Sequence, residues 1–328
     1  MRKISANLIL PVSSAPLRNG IILVNPDGSI SDLIDTGGHL REEPGLEFYP
    51  GTIIPGLIIP WLMLDEISEF PPQPIPDDRI PADRNPADRN SADSNPADRN
   101  PADRIPANSN PADRNTADRN TAEPEVMLAK VDRELIRHGI KGVGLVLSES
   151  MVSNGGLKFM SKSSLCYHPV IELCPGRNDD EYEVFNRGID LLSKAWNEFN
   201  LSCSLTACSP AMKYSDIGKF LEEYGRSHIN LLSPEGDTSK IPKLPDPKNH
   251  QASGYNKFNI LNNSLHSNPE MSFDELVSKI TLEAAAKIFI EDELGSIEKG
   301  KKPGLNLVSG FAEGDSGPDS DLRLKVLV

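Results

Sequence analysis

Few residues in this chain have the types and spacing that chemistry requires. His168 and Glu172 lie four residues apart in a run that predicts a strand, so they share one face and could belong to a substrate pocket; a structural role is the simpler interpretation. Cys208 could serve as a soft metal ligand or a nucleophile, but no histidine is placed beside it, which favours an inert buried cysteine. The remaining histidines show no ligand spacing: His39, His138, His228, His250 and His266.

The cysteines and the charge exclude several classes of site. None of Cys166, Cys174, Cys203 and Cys208 belongs to a CxxC pair, so neither a zinc knuckle nor a redox motif is indicated. The formal net charge of −14 argues against nonspecific nucleic-acid binding, because that binding needs a basic face. It argues equally against binding to an anionic membrane surface.

Two apolar runs near the N-terminus are too short to direct the chain into or across a membrane. Residues 8–10 are followed at once by Pro11, which ends any signal-like core. Residues 52–64 contain Pro55 and Pro60 and fall short of the roughly 20 residues that a spanning helix needs. We therefore expect a cytoplasmic protein.

Residues 76–120 form a tandem pentapeptide of the type Pro-Ala-Asp-Arg-Asn. A pentapeptide β-helix needs Leu or Phe after the Ala-Asp step, whereas arginine stands there in most of these repeats and cannot fill a core. The recurring prolines also remove ladder donors. We predict a disordered or polyproline-like segment over residues 71–122, with a spacer or docking role as the functional alternative.

Outside this tract, predicted strands and helices alternate. Near the N-terminus short strands are predicted at 4–10, 20–25 and 29–35. After the tract, strands are predicted at 140–147, 165–173, 201–206 and 228–232. Helices are predicted at 126–138, 180–200, 216–224 and 273–289. The alternation is typical of a parallel sheet or barrel.

A motif near the C-terminus resembles a known signature. Gly295-Ser296-Ile297 follows the last helix, and Gly300-Lys301 forms a predicted tight turn, so two glycines bound a short predicted strand. The pattern resembles the closing G-S-I-x-x-G-K signature of the amidohydrolase superfamily. Residues 4–54 look like that family's N-terminal sandwich strands, and residues 49–58 look like the approach to its first barrel strand.

The resemblance covers most of residues 1–65 and 126–308 and is closest to deaminase-like and chlorohydrolase-like members. It implies an α/β fold: a TIM-like (β/α) barrel with a small β-sandwich built from both termini. The implied segments are 1–54 and 291–328 for the sandwich, 55–70 for the first barrel strand, 71–122 for the tract and 123–290 for the barrel. These barrel segments are shorter than the roughly 200 residues that a closed barrel needs, so we expect it to be incomplete or distorted.

The family's metal positions hold other residues in this chain. In the family two histidines of H-x-H project from one face of the first strand and bind zinc or iron; Trp61 and Met63 stand there. Cys208 replaces the histidine of S-L-T-x-H-A-P. Ile229 and Leu232 replace the histidine and glutamate of H-N-x-E, although a shift of one residue would bring His228 into play.

The family's catalytic aspartate also has no counterpart. Asn263 stands where that residue is both metal ligand and proton shuttle, and a neutral amide is no general base. Asp65 lies near an acidic family position just after the first strand and is a further candidate. No His-x-His is left anywhere in the chain.

The sequence thus predicts an amidohydrolase-like pseudoenzyme, catalytically inactive and without metal or other cofactor. Two alternatives stay open. One is a metal-dependent hydrolase of C–N bonds in small cyclic compounds, with a site rebuilt from other residues. The other is a non-enzymatic interaction protein. Neither nucleic acid nor membrane is expected as a partner, whereas a small-molecule ligand fits the resemblance.

Deleting residues 76–120 should leave the thermal unfolding midpoint almost unchanged, because the repeat has little apolar area to bury against its chain entropy. Calorimetry of the intact chain and the deletion variant tests this. A midpoint many degrees lower in the deletion variant would show that the repeat packs.

Overall fold

The computed structural model describes residues 1–63, 124–174, 180–207, 230–231, 259–310 and 322–328. The predicted helix at 216–224 and the pentapeptide tract lie outside these residues, as do Cys208, Ile229 and Leu232.

The described residues form twelve strands and seven helices. The strands are β1 (Arg2–Ile9), β2 (Leu17–Arg18), β3 (Ile21–Val24), β4 (Ile30–Ile34), β5 (Leu46–Pro55), β6 (Leu57–Met63), β7 (Ile140–Ser148), β8 (Cys166–Leu173), β9 (Ser204–Ala207), β10 (Asn230–Leu231), β11 (Leu305–Ser309) and β12 (Arg323–Val326). The helices are α1 (Pro124–Arg137), α2 (Glu149–Ser153), α3 (Gly156–Met160), α4 (Glu181–Phe199), α5 (Ile260–Ser267), α6 (Phe273–Ile280) and α7 (Leu282–Lys287). None of the described helices combines the length and the apolar content that crossing a bilayer requires.

Strands from both ends of the chain meet in one sheet, which we call the terminal sheet. Its order is β12-β11-β5-β1-β3-β4, with β2 added to β1. β11 runs antiparallel to β5, with Leu305 opposite Pro55 and Val308 opposite Thr52. The pairing expected between the two ends is therefore confirmed. The finer expectation, a sandwich of two layers, stays a prediction.

Alternating apolar residues explain how the terminal sheet packs. Ile4 and Ala6 on β1 are fully buried, and Ile22 on β3 and Ile53 on β5 join them in one cluster with Leu305. Residues two apart in a strand point to the same face, so Ile4 and Ala6 share the apolar face of β1, while Ser5 between them is buried on the other face.

The second sheet, which we call the parallel sheet, has the order β10-β9-β8-β7-β6, and every pair in it is parallel. The α/β class and the βα alternation are thus confirmed. The strands in the described part of the chain form an open sheet and do not close into a barrel.

Helices cover one face of the parallel sheet. Val143, Leu145 and Leu147 of β7 pack with Leu128 of α1 and Val184 of α4 in the main core. Ile58 and Cys166 lie on the opposite face, where they contact residues of α7 and the segment after it. We call this opposite face the inner face.

The helix predicted over residues 273–289 is wrong in one respect, because it is broken at Thr281. Ser272 caps α6, and its side chain and that of Glu275 bond each other's backbone in a capping box. Thr281 leaves helical geometry (φ −126°, ψ −87°), and its hydroxyl donates to the Val277 carbonyl at 2.6 Å. A threonine that bonds the preceding turn in this way competes with the helix, so α7 starts anew.

The strand predicted between Gly295 and Gly300 does not form. Both glycines have positive φ, 85° and 92°, and two left-handed residues so close together interrupt an extended backbone. The segment instead follows the terminal sheet: the Ile297 N–H donates to Pro11, and the Gly300 N–H donates to Ile30. The motif is thus hydrogen-bonded to the terminal sheet at Ile30 and to Pro11, which follows β1.

One buried amide joins the two sheets. The Asn306 side chain on β11 donates to the carbonyls of Gly139 at 2.8 Å and Pro55 at 3.4 Å, immediately before β7 and at the end of β5. Gly139 has a positive φ of 74°, and a Cβ atom there would lie 2.6 Å from the Asn306 amide. The junction therefore needs both residues.

Replacing Asn306 by Leu should lower the free energy of unfolding by about 1–3 kcal/mol, because the buried Gly139 carbonyl loses one of its two donors and the Pro55 carbonyl loses the amide as well. Urea titration measures this, with Asn197→Leu on the exposed surface of α4 as the matched control, expected within about 0.5 kcal/mol of the unmodified chain. Equal losses in the two variants would contradict the role assigned to the amide.

Candidate functional site

The carboxyl ends of the parallel strands meet at one edge, which is where α/β proteins place ligands. The last strand residues at this edge are Met63, Ser148, Leu173, Ala207 and Leu231. Trp61 and Met63 are thus brought to the edge where the resemblance places a metal site.

The register shows which residues share the inner face near this edge. Met63 pairs with Val146, Val146 with Val170, and Val170 with Ser204. The next row outward contains Ser148, Glu172 and Thr206. We call the first set, Met63, Val146, Val170 and Ser204, the apolar row, because its first three members have only thioether or alkyl groups. The second set is the polar row, and it lies closer to the carboxyl ends of the strands.

The residues at the end of β6 do not fit a zinc or iron centre. The strand shifts register between Ile59 and Leu62, and Trp61 and Met63 are both half-buried. An indole and a thioether are not ligands for a hydrolytic zinc, which takes histidine, carboxylate or thiolate. Within the described ranges, no group of three or more His, Cys, Asp or Glu side chains is placed to hold a metal ion.

Asn263 lies on helix α5 and is half-buried, with its backbone N–H donating to Asn259 at 2.9 Å. Its neighbour Asn262 exchanges two bonds with the backbone of Leu322, at 3.0 and 3.2 Å. Asn262 therefore fixes the backbone of Leu322, the residue before β12, against α5. The other sequence candidates, Cys208, Ile229, Leu232, Asp65 and His228, lie outside the described residues.

His168 and Glu172 share the inner face as predicted, with Val170 between them, but their environments differ. His168 is completely buried, and its Nε2 lies 2.7 Å from the Ser204 hydroxyl. Its Nδ1 has no hydrogen-bond partner within the described structure. Burial lowers the pKa of His168 to about 4, so the ring is neutral at physiological pH. Glu172 is half-buried in the polar row.

The half-buried cysteines Cys166 and Cys203 are poor nucleophiles. Burial raises the pKa of Cys166 to about 11 and that of Cys203 to about 12. Both thiols stay protonated at neutral pH, and reactivity requires the thiolate.

Residues 284–294, which the sequence did not predict to be part of the site, pack on the inner face nearer the amino ends of the strands. Ile290 reaches to 2.7 Å from where a Cβ atom of Gly142 would lie, and Ile288 reaches to 2.9 Å from that of Gly144. Glycines inside an apolar strand often mark such a close approach, so Gly142-Val143-Gly144 was the available signal. The partner segment, residues 284–294, has no comparable signal in the sequence.

No protein-family model matches this chain, and no curated protein matches its sequence. Its fold is similar to that of an adenosine deaminase from Xanthomonas campestris with bound zinc (12% identity, 93% of this chain and 84% of that chain, TM-score 0.50). It is similar also to a guanine deaminase from C. acetobutylicum with bound guanine (9%, 94% and 90%, 0.50) and to the E. coli guanine deaminase (10%, 96% and 90%, 0.50).

These deaminases are members of the amidohydrolase superfamily. At such low identities the likeness establishes the fold alone. The chain therefore has an α/β fold of the amidohydrolase type.

Lowering the pH from 6.5 to 4 should destabilise the chain through His168. In this range the imidazole binds a proton in the unfolded chain but not in the folded chain, because burial lowers its pKa to about 4. The contribution of the neutral imidazole to the free energy of unfolding is fully present above pH 6.5 and is lost as the pH falls towards 4. It amounts to about 3 kcal/mol, at about 1.4 kcal/mol per pKa unit. Urea titrations from pH 7 to 4 of the unmodified chain and of His168→Gln should show a steeper loss in the unmodified chain; parallel curves would contradict this.

Proposed function

We propose that this chain is an amidohydrolase-superfamily protein that has lost metal-dependent hydrolysis. The observation that supports this most directly is the end of β6, where Trp61 and Met63 stand at the edge that gathers the carboxyl ends of the parallel strands. Met63 shares a row with Val146 and Val170, which add no ligand.

The chemistry of hydrolysis explains why these residues support the loss of metal-dependent hydrolysis. A hydrolytic metal needs about three protein ligands and an open position for water. Without the metal, water keeps its high pKa and is a poor nucleophile at neutral pH. Asn263 has only an amide, which cannot take up the proton of an attacking water.

Membership in the superfamily has two independent supports. One is the similarity in fold to zinc- and guanine-bound deaminases. The other is the pair of terminal motifs; β5 includes part of the first motif, and it pairs with β11, which follows the second. Under this proposal the parallel sheet is an incomplete barrel, and the terminal sheet is part of a small sandwich. A cytoplasmic location accords with the same proposal.

Purified full-length chain, expressed with zinc and iron supplements, should contain far less than one equivalent of either metal by mass spectrometry. Ammonia release from adenine, guanine and cytosine derivatives should stay at the level of a blank. One equivalent of tightly bound metal, with turnover that a chelator abolishes and added zinc restores, would overturn the proposal in favour of a rebuilt metal site.

The double variant Trp61→His with Met63→His is the matched control for that assay. It restores the H-x-H pair but leaves Cys208, Ile229 and Asn263 unchanged, so no turnover is expected. Turnover by this variant would show that the end of β6 alone had been limiting.

A further inference from the structure

Phe289 adopts a backbone conformation that normally belongs to glycine. It follows α7 with a φ of 57°. The Ile290 N–H donates to Ala285 at 3.1 Å and the Phe289 N–H to Ala286 at 3.4 Å, the two bonds of a Schellman motif. Glycine is the usual residue at this left-handed position because a Cβ atom is strained there.

The flanking isoleucines explain why the strain persists. Ile288 packs over Gly144 and Ile290 packs over Gly142, both on the inner face of β7. Each glycine leaves a notch that any larger residue would close. The backbone is therefore anchored on both sides of Phe289, and such surroundings can hold a residue in an unfavourable conformation.

The Phe289 ring lies over His168. The two ring centroids are 6.0 Å apart with planes tilted by 48°. His168 is the register partner of Gly144, the residue beneath Ile288. His168 is 0% exposed whereas Phe289 is 44% exposed, so an exposed ring lies against a fully buried one.

The covered imidazole is incompletely bonded. Its Nε2 lies 2.7 Å from the Ser204 hydroxyl, but the buried Nδ1 has no partner in the described part of the chain. A buried polar atom without a partner costs free energy that water would recover. Backbone strain at Phe289 and an unpartnered atom of the imidazole that its ring contacts thus occur at the same place.

We propose that the Phe289 side chain is a movable lid over His168. The docked Ile288 and Ile290 hold the backbone in place, while the ring swings outward and lets water, or a small hydrogen-bonding ligand, reach the Nδ1 atom. Cys166 and Glu172 are the other titratable groups on this face of β8, two residues before and four residues after His168.

The first test measures how strongly Phe289 buries the imidazole, by NMR titration of His168 in the full chain. Phe289→Gly removes the ring and relieves the strain, and should raise the pKa of His168 from about 4 towards 6.5, at least a tenfold change in proton affinity. Phe289→Leu keeps apolar bulk and should leave the pKa low. An unchanged pKa in Phe289→Gly would overturn the proposal.

The second test asks whether the lid moves in the unmodified chain. Diethyl pyrocarbonate at neutral pH should label His168 more slowly than the exposed His39 and His266, but measurably, as read by peptide mass spectrometry. Labelling should be at least tenfold faster in Phe289→Gly. If His168 of the folded unmodified chain stays unlabelled while His39 and His266 react completely, the cover is rigid and the proposal is wrong. This readout decides the matter even if the glycine variant fails to fold.

Discussion

The amide of Asn306 is the interaction on which the relation between the two sheets depends. It lies on β11 but bonds the end of β5 and the residue that precedes β7, so one side chain joins three segments far apart in sequence. The Gly139 carbonyl also accepts the Leu57 N–H at 2.9 Å, which starts β6 beside β7. Because these groups are buried, each needs its partner. These bonds hold the starts of β6 and β7, and so the parallel sheet with its candidate site, against β5 and β11 of the terminal sheet.

The inner face of the parallel sheet divides into two parts with different chemistry. Its lower part is filled by the isoleucines that follow α7, which rest on Gly142 and Gly144. Its upper part, at the carboxyl edge, has an apolar row containing Met63 and a polar row containing Glu172. This carboxyl edge is where α/β proteins place ligands, and its described residues include no group of three or more His, Cys, Asp or Glu side chains placed to hold a metal ion.

Local patterns predicted the elements well and their tertiary roles poorly. The helices at α1 and α4 and the strands β7 and β8 follow from apolar periodicity, which depends only on neighbouring residues. The break at Thr281 depends on one hydrogen bond, which its hydroxyl donates to the Val277 carbonyl. The contacts of Asn306 and Phe289 join residues distant in the chain, and a single sequence contains no signal for them. For the candidate site, the motif around residues 49–58 specified the strand of Trp61 and Met63, and both lie at the carboxyl end of β6.

The pairing of β5 with β11 has a consequence for folding during synthesis. Thr52 and Val308 are register partners, so the side of β5 that pairs with β11 has no neighbour until β11 has been made. A strand edge left open in this way is prone to pair with other chains. Pairings of such high sequence separation also form slowly. This edge of β5 therefore stays open during synthesis until β11 has emerged.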